Sequence, residues 1–177
     1  MHAGFISWRA VKLAWASVFL MAGAVEVQAA QQAGNLPPDP VVMTDKGEVR
    51  GLIRDGVREF KGIPYAASPG KERRWMLPQP VEPWATTLDA TQYKSACPQL
   101  ARFGETDESL VEDCLHINVT TPSSVNQAAD SKLPVIVWIH GGAFVGGSTS
   151  LYPLDYMARS GNVVVVSMNY RLGLFGF

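Results

Sequence analysis

The 177-residue sequence has little charge of either sign and no long basic run. Charged residues make up 18% of the chain, with 15 basic and 16 acidic side chains, and the formal net charge is -1. Its longest basic run is Arg73-Arg74, so no segment suits the electrostatic binding of nucleic acid. Hydrophobic residues make up 47%, which excludes an intrinsically disordered chain and indicates a globular core.

The sequence also lacks an apolar run long enough to cross a bilayer, which takes ~20 residues. The best candidate is "LAWASVFLMAGAV", residues 13–25, which follows two basic residues. A basic start, a short apolar segment and the residues Val27 and Ala29 before a cleavage point are typical of a secretory signal peptide. We therefore expect residues 1–29 to be removed after Ala29, or one residue later, and the mature protein to be secreted or periplasmic.

Only two cysteines and three histidines are present. Two cysteines with distant histidines lack the spacing of a metal site. In an exported chain, an even pair such as Cys97 and Cys114 favours a disulfide, which would stabilise the fold by about 3 kcal/mol. Two buried free thiols are the alternative.

The first part of the mature chain indicates short strands separated by turns. The segments "VVMTDKGEVRGLI" (41–53) and "VREFKGIPYA" (57–66) predict strands, with turns at residues 45–47 and 55–56. Residues 68–87 contain four prolines and predict an extended loop, whose Trp75 and Trp84 we expect to cover the core.

The second part predicts a parallel strand–helix–strand unit. "CLHINVTTP" (114–122) alternates apolar and polar residues, as a half-buried strand does. "LPVIVWIH" (133–140) is a continuous apolar run, which predicts a central strand covered on both faces. "LYPLDYMARSG" (151–161) predicts a short helix ended by Gly161, and "NVVVVSMNY" (162–170) a second buried strand, which together indicate an α/β sheet.

The run 133–140 leads directly into two glycines, Gly141 and Gly142. Glycine lets the backbone adopt positive φ and approach another group closely, and successive N–H groups in such a loop can converge on one negative oxygen. That arrangement is an oxyanion hole. A tight strand exit needed only for packing is the alternative, whereas a phosphate-binding loop is disfavoured because neither GxGxxG nor GK[ST] is present.

Here the chain resembles the type B carboxylesterases, a family of α/β-hydrolase fold that includes cholinesterases and bacterial esterases. The resemblance covers about residues 41–177. Four segments carry it, in the order that the family has: "FKGIPYA" (60–66), "EDCLHINVTTP" (112–122), "PVIVWIHGGAF" (134–144) and "VVVVSMNYRLGLFGF" (163–177). The joint occurrence of EDCL, HGGAF and NYRLG is highly specific, although each motif alone would be weak.

The resemblance implies roles for the glycine segment. Gly142 and Ala143 would supply two oxyanion N–H groups, Gly141 would serve the turn, and Gly141 and Phe144 would lie beside the substrate. Ala143 stands where the family more commonly has a third glycine, which keeps the N–H but makes positive φ costlier. His116 occupies a position usually held by an aromatic residue or threonine, and we assign it to packing or to the surface.

The residues that would perform acyl transfer are missing. No GxSxG occurs, and Ser148 in "GGSTS" (146–150) lacks the following glycine and a preceding strand, so we assign it a loop or capping role. One histidine lies in the predicted signal, and the other two are His116 and His140. The family's oxyanion strand precedes the serine, acid and histidine along the chain, so the resemblance implies that the whole triad lies beyond Phe177.

We therefore interpret residues 30–177 as the N-terminal part of a carboxylesterase-type α/β-hydrolase domain with an incomplete central sheet. The resemblance also implies a Cys97–Cys114 disulfide, a small carboxylic ester as substrate, and no metal or organic cofactor. The function we expect is that of an exported serine carboxylesterase; the alternative is a non-catalytic, esterase-like adhesion protein. Residues 30–177 alone are expected to be inactive and poorly soluble, because unpaired strand edges invite aggregation.

Overall fold

The computed structural model of the protein describes residues 38–100, 108–124 and 132–177. The predicted signal peptide lies outside the described residues. Eight strands and one α-helix follow one another along the described chain: β1 Val41–Thr44, β2 Gly47–Arg50, β3 Leu52–Arg54, β4 Val57–Pro64, β5 Leu88–Asp89, β6 His116–Pro122, β7 Val135–Ile139, α1 Asp155–Gly161 and β8 Val164–Met168. Short 3₁₀ turns occupy Lys71–Arg73, Thr149–Leu151 and Gly173–Phe175.

The strands form two sheets. β1, β2 and β5 make a three-stranded sheet, and the other five strands make a sheet of order β3-β4-β6-β8-β7. In the larger sheet β3, β4, β6 and β8 pair antiparallel in that order, whereas β7 and β8 pair parallel. The predicted α/β architecture is therefore confirmed, with antiparallel pairs from β3 to β8 and a parallel pair, β8 and β7, at the other end of the sheet.

The predicted turns between the early strands are confirmed. β1 and β2 form a hairpin that closes at Thr44 and Gly47, and β3 and β4 form one through Asp55 and Gly56. Asp55 has φ 48° and Gly56 has φ 78°. Two successive positive φ angles are what a type I′ hairpin turn requires, and Asp-Gly is a favoured pair for it.

The parallel pair is joined by α1, which packs over one face of the large sheet. Leu154 and Ala158 from this segment are buried against Val57 of β4 and Val165 of β8. The helix ends one residue later than predicted: Gly161 is its last residue, and Asn162 takes the left-handed conformation with φ 49°. Asparagine adopts that conformation more readily than most residues, so it terminates the helix in place of the expected glycine.

The expectation that residues 133–140 form a central strand covered on both faces is wrong for the described chain. β7 lies at the edge of the sheet and, among the described elements, pairs only with β8. Val135, Val137 and Ile139 point away from α1 and are 60%, 55% and 65% exposed. A continuous apolar run indicates a strand that is buried on both faces, but no described residue covers this face of β7.

β6 is the predicted half-buried strand, but its polar side chains are the better buried ones. His116, Asn118 and Thr120 are buried, whereas Ile117 and Val119 are only partly buried. Asn118 is tolerated there because its Oδ1 accepts the N–H of Gly62 in β4 at 2.8 Å, whereas Nδ1 of His116 has no hydrogen-bond partner among the described residues.

Residues 68–87 form the predicted irregular loop, with only a 3₁₀ turn in it. Trp84 covers core as expected, packing against the cluster of Val49, Phe60 and Ala90. The same expectation fails for Trp75, which is 71% exposed and donates its indole N–H to the carbonyl of Leu174 at 2.9 Å. No helix in the described ranges is long and apolar enough to cross a membrane.

The predicted disulfide between Cys97 and Cys114 is present. Both cysteines are buried with Ala66, Leu115 and Leu172 in one apolar cluster. The bridge therefore ties the loop at Cys97 to the segment that leads into β6, and both are anchored in this cluster.

Candidate functional site

The segment His140–Ser148, called the glycine loop from here on, leaves the carboxyl end of β7. The neighbouring strand β8 runs parallel and ends at Met168, so Asn169 and Tyr170 emerge at the same edge of the sheet. In open α/β sheets this edge is where ligands bind. The predicted oxyanion residues thus lie at this edge of the sheet.

The glycine loop turns through three successive residues with positive φ. Gly142 has φ 129°, Ala143 φ 53° and Phe144 φ 63°. The carbonyl of Gly142 accepts hydrogen bonds from the N–H groups of Val145 at 3.0 Å and Gly146 at 3.2 Å, which close the turn. Left-handed backbone at a residue other than glycine costs about 1 to 3 kcal/mol and occurs mainly where a site requires it.

The residue of the turn that must be glycine is Gly142. A Cβ atom there would lie 1.8 Å from the carbonyl oxygen of Gly146, and no side chain fits at that distance. A Cβ on Gly141 would meet nothing within 4 Å, and φ of Gly141 is not positive. Close backbone packing therefore begins at Gly142, one residue after the position to which the resemblance assigned the turn.

Two backbone amides of this turn are available to a ligand. Within residues 38–100, 108–124 and 132–177, neither the N–H of Gly142 nor that of Ala143 donates a hydrogen bond to another residue. Neighbouring amides held by a turn form a small site of positive potential, which suits a negatively charged oxygen. The arrangement can therefore stabilise an oxyanion, with no side chain contributing.

His140 is a packing residue in this arrangement. It is 2% exposed, and its ring stacks on Tyr170 with a centroid separation of 4.3 Å. Nδ1 donates to the carbonyl of Gly141 at 2.9 Å, while the hydroxyl of Tyr170 donates to the carbonyl of His140 at 2.7 Å. Burial lowers the pKa of His140, although the bond to Gly141 acts in the opposite direction, so the ring is neutral and fastens the start of the loop.

Three buried amide side chains that the sequence analysis did not single out hold Gly147 of the loop and Thr149, which follows the loop directly. The carboxamide of Gln99 bonds to the backbone of Gly147. Asn118 donates to Oγ1 of Thr149 at 2.9 Å, and Asn169 accepts from the N–H of Thr149 at 3.0 Å. No local pattern marked these amides: Asn118, for example, stands in a strand that alternates polar and apolar residues.

Ser148 has no access to a substrate. It is buried and its Oγ lies 2.7 Å from Oγ of Ser150, just before the 3₁₀ turn Thr149–Leu151. This geometry agrees with a loop role. His116 is also buried, and burial lowers its pKa, so it belongs to packing and not to the surface.

Phe144 and the segment after β8 meet beside the turn. The ring of Phe144 is 56% exposed and lies 4.5 Å from that of Phe177, measured between centroids. The N–H of Gly173 donates to the carbonyl of Phe144 at 2.7 Å, which ties the "NYRLG" segment to the glycine loop. A role for Gly141 and Phe144 in binding substrate stays a prediction.

A mixed sheet with a parallel β7–α1–β8 unit and a glycine turn at its carboxyl edge defines the N-terminal portion of an α/β-hydrolase fold. A family model described as "Carboxylesterase family" matches residues 38–177. The chain belongs to the carboxylesterase family. The resemblance read from EDCL, HGGAF and NYRLG is thereby confirmed.

Characterised relatives extend the match. The para-nitrobenzyl esterase of Bacillus subtilis is 46% identical over 143 residues, which are 77% of this chain and 28% of that protein. The acetylcholinesterase of Bungarus fasciatus is 40% identical over 152 residues, 77% of this chain and 24% of that protein. A solved structure of PNB esterase superposes with a TM-score of 0.71 at 42% identity, covering 79% of this chain and 29% of that chain. The chain thus spans less than a third of the length of these relatives.

Proposed function

We propose that this chain is the N-terminal part of an exported serine carboxylesterase and that it supplies the oxyanion hole. The observation that carries the proposal is the turn at Gly142 and Ala143, whose two amides have no acceptor among the described residues. The same turn lies at the carboxyl edge of a parallel pair in a chain of the carboxylesterase family.

The chemistry follows from that geometry. A serine hydroxyl attacks the ester carbonyl carbon, its proton passes to a histidine, and the carbonyl oxygen becomes an oxyanion. The N–H groups of Gly142 and Ala143 donate to this oxygen, so they stabilise the transition state more than the substrate. The alcohol leaves with the proton, and water then hydrolyses the acyl-enzyme. We place the serine, acid and histidine beyond Phe177, because the described histidines are committed to packing.

Export rests on two features that agree with each other. The order of residues 1–29 is that of a signal peptide, and the buried Cys97–Cys114 disulfide suits an oxidising compartment. Mass spectrometry of the secreted or periplasmic product would test this directly. A mature N-terminus at residue 30 or 31 is expected, and an intact Met1 on the active protein would contradict export through this segment.

The catalytic proposal is tested on the complete reading frame that contains residues 1–177. Its product should hydrolyse a p-nitrophenyl ester and lose that activity to an organophosphate. Gly142→Ala should lower kcat about 100-fold or more, because the new Cβ collides with Gly146 and displaces an oxyanion donor. Gly161→Ala is the matched control, since its Cβ makes only an ordinary contact of 3.4 Å with Val163.

Two results would overturn the proposal. The first is full turnover by the Gly142→Ala protein. The second is a complete protein whose nucleophile position carries no serine and that does not hydrolyse esters, which would favour the non-catalytic adhesion alternative.

A further inference from the structure

Gln99 is a buried glutamine that takes no part in the chemistry proposed above. It is 6% exposed and lies two residues after the disulfide-bonded Cys97. Its backbone is pinned by two hydrogen bonds with Ser109: the N–H of Gln99 donates at 2.8 Å and its carbonyl accepts at 3.0 Å. The backbone of Gln99 is thus held by its bonds to Ser109 and by the nearby disulfide, apart from any contact of its side chain.

The carboxamide of Gln99 makes a two-point contact with one residue of the glycine loop. Its Oε1 accepts the N–H of Gly147 at 2.7 Å, and its Nε2 donates to the carbonyl of Gly147 at 2.9 Å. Nε2 also lies 3.2 Å from the carbonyl of Cys97. Because a planar amide satisfies both groups of one peptide residue, it fixes the position of Gly147 and also its orientation.

Gly147 in turn is packed against the beginning of the loop. Its φ is 116°, and a Cβ there would lie 2.4 Å from the carbonyl oxygen of Gly141 and 2.5 Å from Nδ1 of His140. The preceding residue, Gly146, donates to the carbonyl of Gly142 and so closes the turn. A shift of Gly147 would therefore move the backbone that carries the amides of Gly142 and Ala143.

We propose that Gln99 is the positioning residue of the oxyanion turn, holding it in register with the disulfide-bonded segment; this role rests on the proposed esterase function. The physical need for it is the left-handed backbone at Ala143 and Phe144, which relaxes unless its surroundings hold it. Displacing a catalytic group by about 1 Å can cost ~100-fold in rate.

The first test replaces the carboxamide in the complete protein. Gln99→Met removes both polar atoms and keeps the length of the side chain. We expect kcat for a p-nitrophenyl ester to fall about 10- to 100-fold with KM changed less than about threefold, because an oxyanion donor acts mainly in the transition state. Gln79→Met is the matched control: among the described residues, the exposed side chain of Gln79 bonds only to the nearby carbonyl of Leu77, so kcat of this variant should stay at the wild-type value.

The second test uses a variant whose hydrogen bonding depends on pH. The ionised carboxylate of Gln99→Glu can accept from Gly147 N–H but faces the carbonyls of Gly147 and Cys97 without a proton to donate. Protonation restores a donor. The ratio of Gln99→Glu to wild-type kcat should therefore rise several-fold as pH falls, whereas the ratio for Gln99→Met should stay flat.

A third measurement separates this proposal from the esterase function. Hydrogen exchange at the Gly147 amide should be at least about tenfold faster in Gln99→Met than in the wild type or Gln79→Met. If the wild-type protein hydrolyses no ester, the proposed function fails, and exchange alone decides whether Gln99 holds the loop. Should Gln99→Met fail to fold, Gln99→Glu at low and high pH carries the comparison. Wild-type kcat in both Gln99 variants, or unchanged exchange at Gly147, would overturn the positioning role.

Discussion

The exposed face of β7 predicts that residues 30–177 on their own associate through this strand, and that one charged residue on it suppresses the association. Complete burial of a valine or isoleucine side chain is worth about 1.5 to 3 kcal/mol. Val135, Val137 and Ile139 are 60%, 55% and 65% exposed. Covering all three would therefore contribute about 3 to 5 kcal/mol per chain, and about 6 to 10 kcal/mol when two such faces cover each other, a range that includes the ~8 kcal/mol of a micromolar dissociation constant. The unpaired backbone of an edge strand adds to this tendency.

The perturbation is Val137→Lys, which places a charge in the middle of this face. The control is Met43→Lys, which adds the same charge to β1 of the small sheet, where Met43 is 71% exposed. Sedimentation velocity and light scattering of the oxidised chain measure the outcome. We expect large species for the unchanged chain and for Met43→Lys, a marked shift to monomer for Val137→Lys, and no ester hydrolysis by any of the three.

Three results would refute this reasoning. If the unchanged chain is monodisperse and unfolds cooperatively, the exposed face of β7 does not cause association. Equal rescue by Met43→Lys would show that net charge alone controls solubility. Turnover of a p-nitrophenyl ester by residues 30–177 would show that the chain needs no residue beyond Phe177.

The remaining predictions concern the complete protein. Reducing the Cys97–Cys114 disulfide should lower the free energy of unfolding by about 3 kcal/mol, seen as a lower urea midpoint with reductant than without; an unchanged midpoint would contradict it. Asn118→Leu leaves the N–H of Gly62 without its 2.8 Å acceptor and should cost about 1 to 3 kcal/mol in the same assay, whereas a neutral effect would show that water or a shifted strand replaces the bond. Burial lowers the pKa of His140, so the stabilisation of the folded state by the neutral ring is complete at neutral pH. This stabilisation is lost as pH falls below about 6.5, because the ring then binds a proton in the unfolded state more readily than in the folded state. His140→Phe should flatten that part of the profile of unfolding free energy against pH, and an unchanged slope would assign the loss to other groups.

Much of the local structure could be predicted from neighbouring residues. The turn at Asp55-Gly56, the strand 116–122 and the parallel unit around α1 all follow from backbone preferences and side-chain periodicity. The family and its glycine motif followed from three short segments taken together. The conformational cost at Ala143 could also be predicted from the sequence, because this alanine stands in place of a glycine and adopts φ 53°.

The errors have a common physical cause. The run 133–140 indicates a strand with two apolar faces, but which of these faces is covered depends on elements far away in sequence. A tryptophan such as Trp75 is likewise expected to be buried because its side chain is large and apolar. In the structure it is exposed and donates its indole N–H to the carbonyl of Leu174. Helix termination differed by one residue, because either Gly161 or Asn162 can end a helix and only the backbone path selects one.

The sequence by itself determined the fold class, the pair of cysteines and the position of the glycine turn. These depend on composition, short-range periodicity and the conformational freedom of glycine, all of which are properties of adjacent residues. Only the tertiary structure decided how that turn is held. Gln99 contacts Gly147 across 48 positions of the chain, and no local pattern marks either residue as the other's partner. Such contacts arise because packing brings a buried amide to a backbone that needs both a donor and an acceptor.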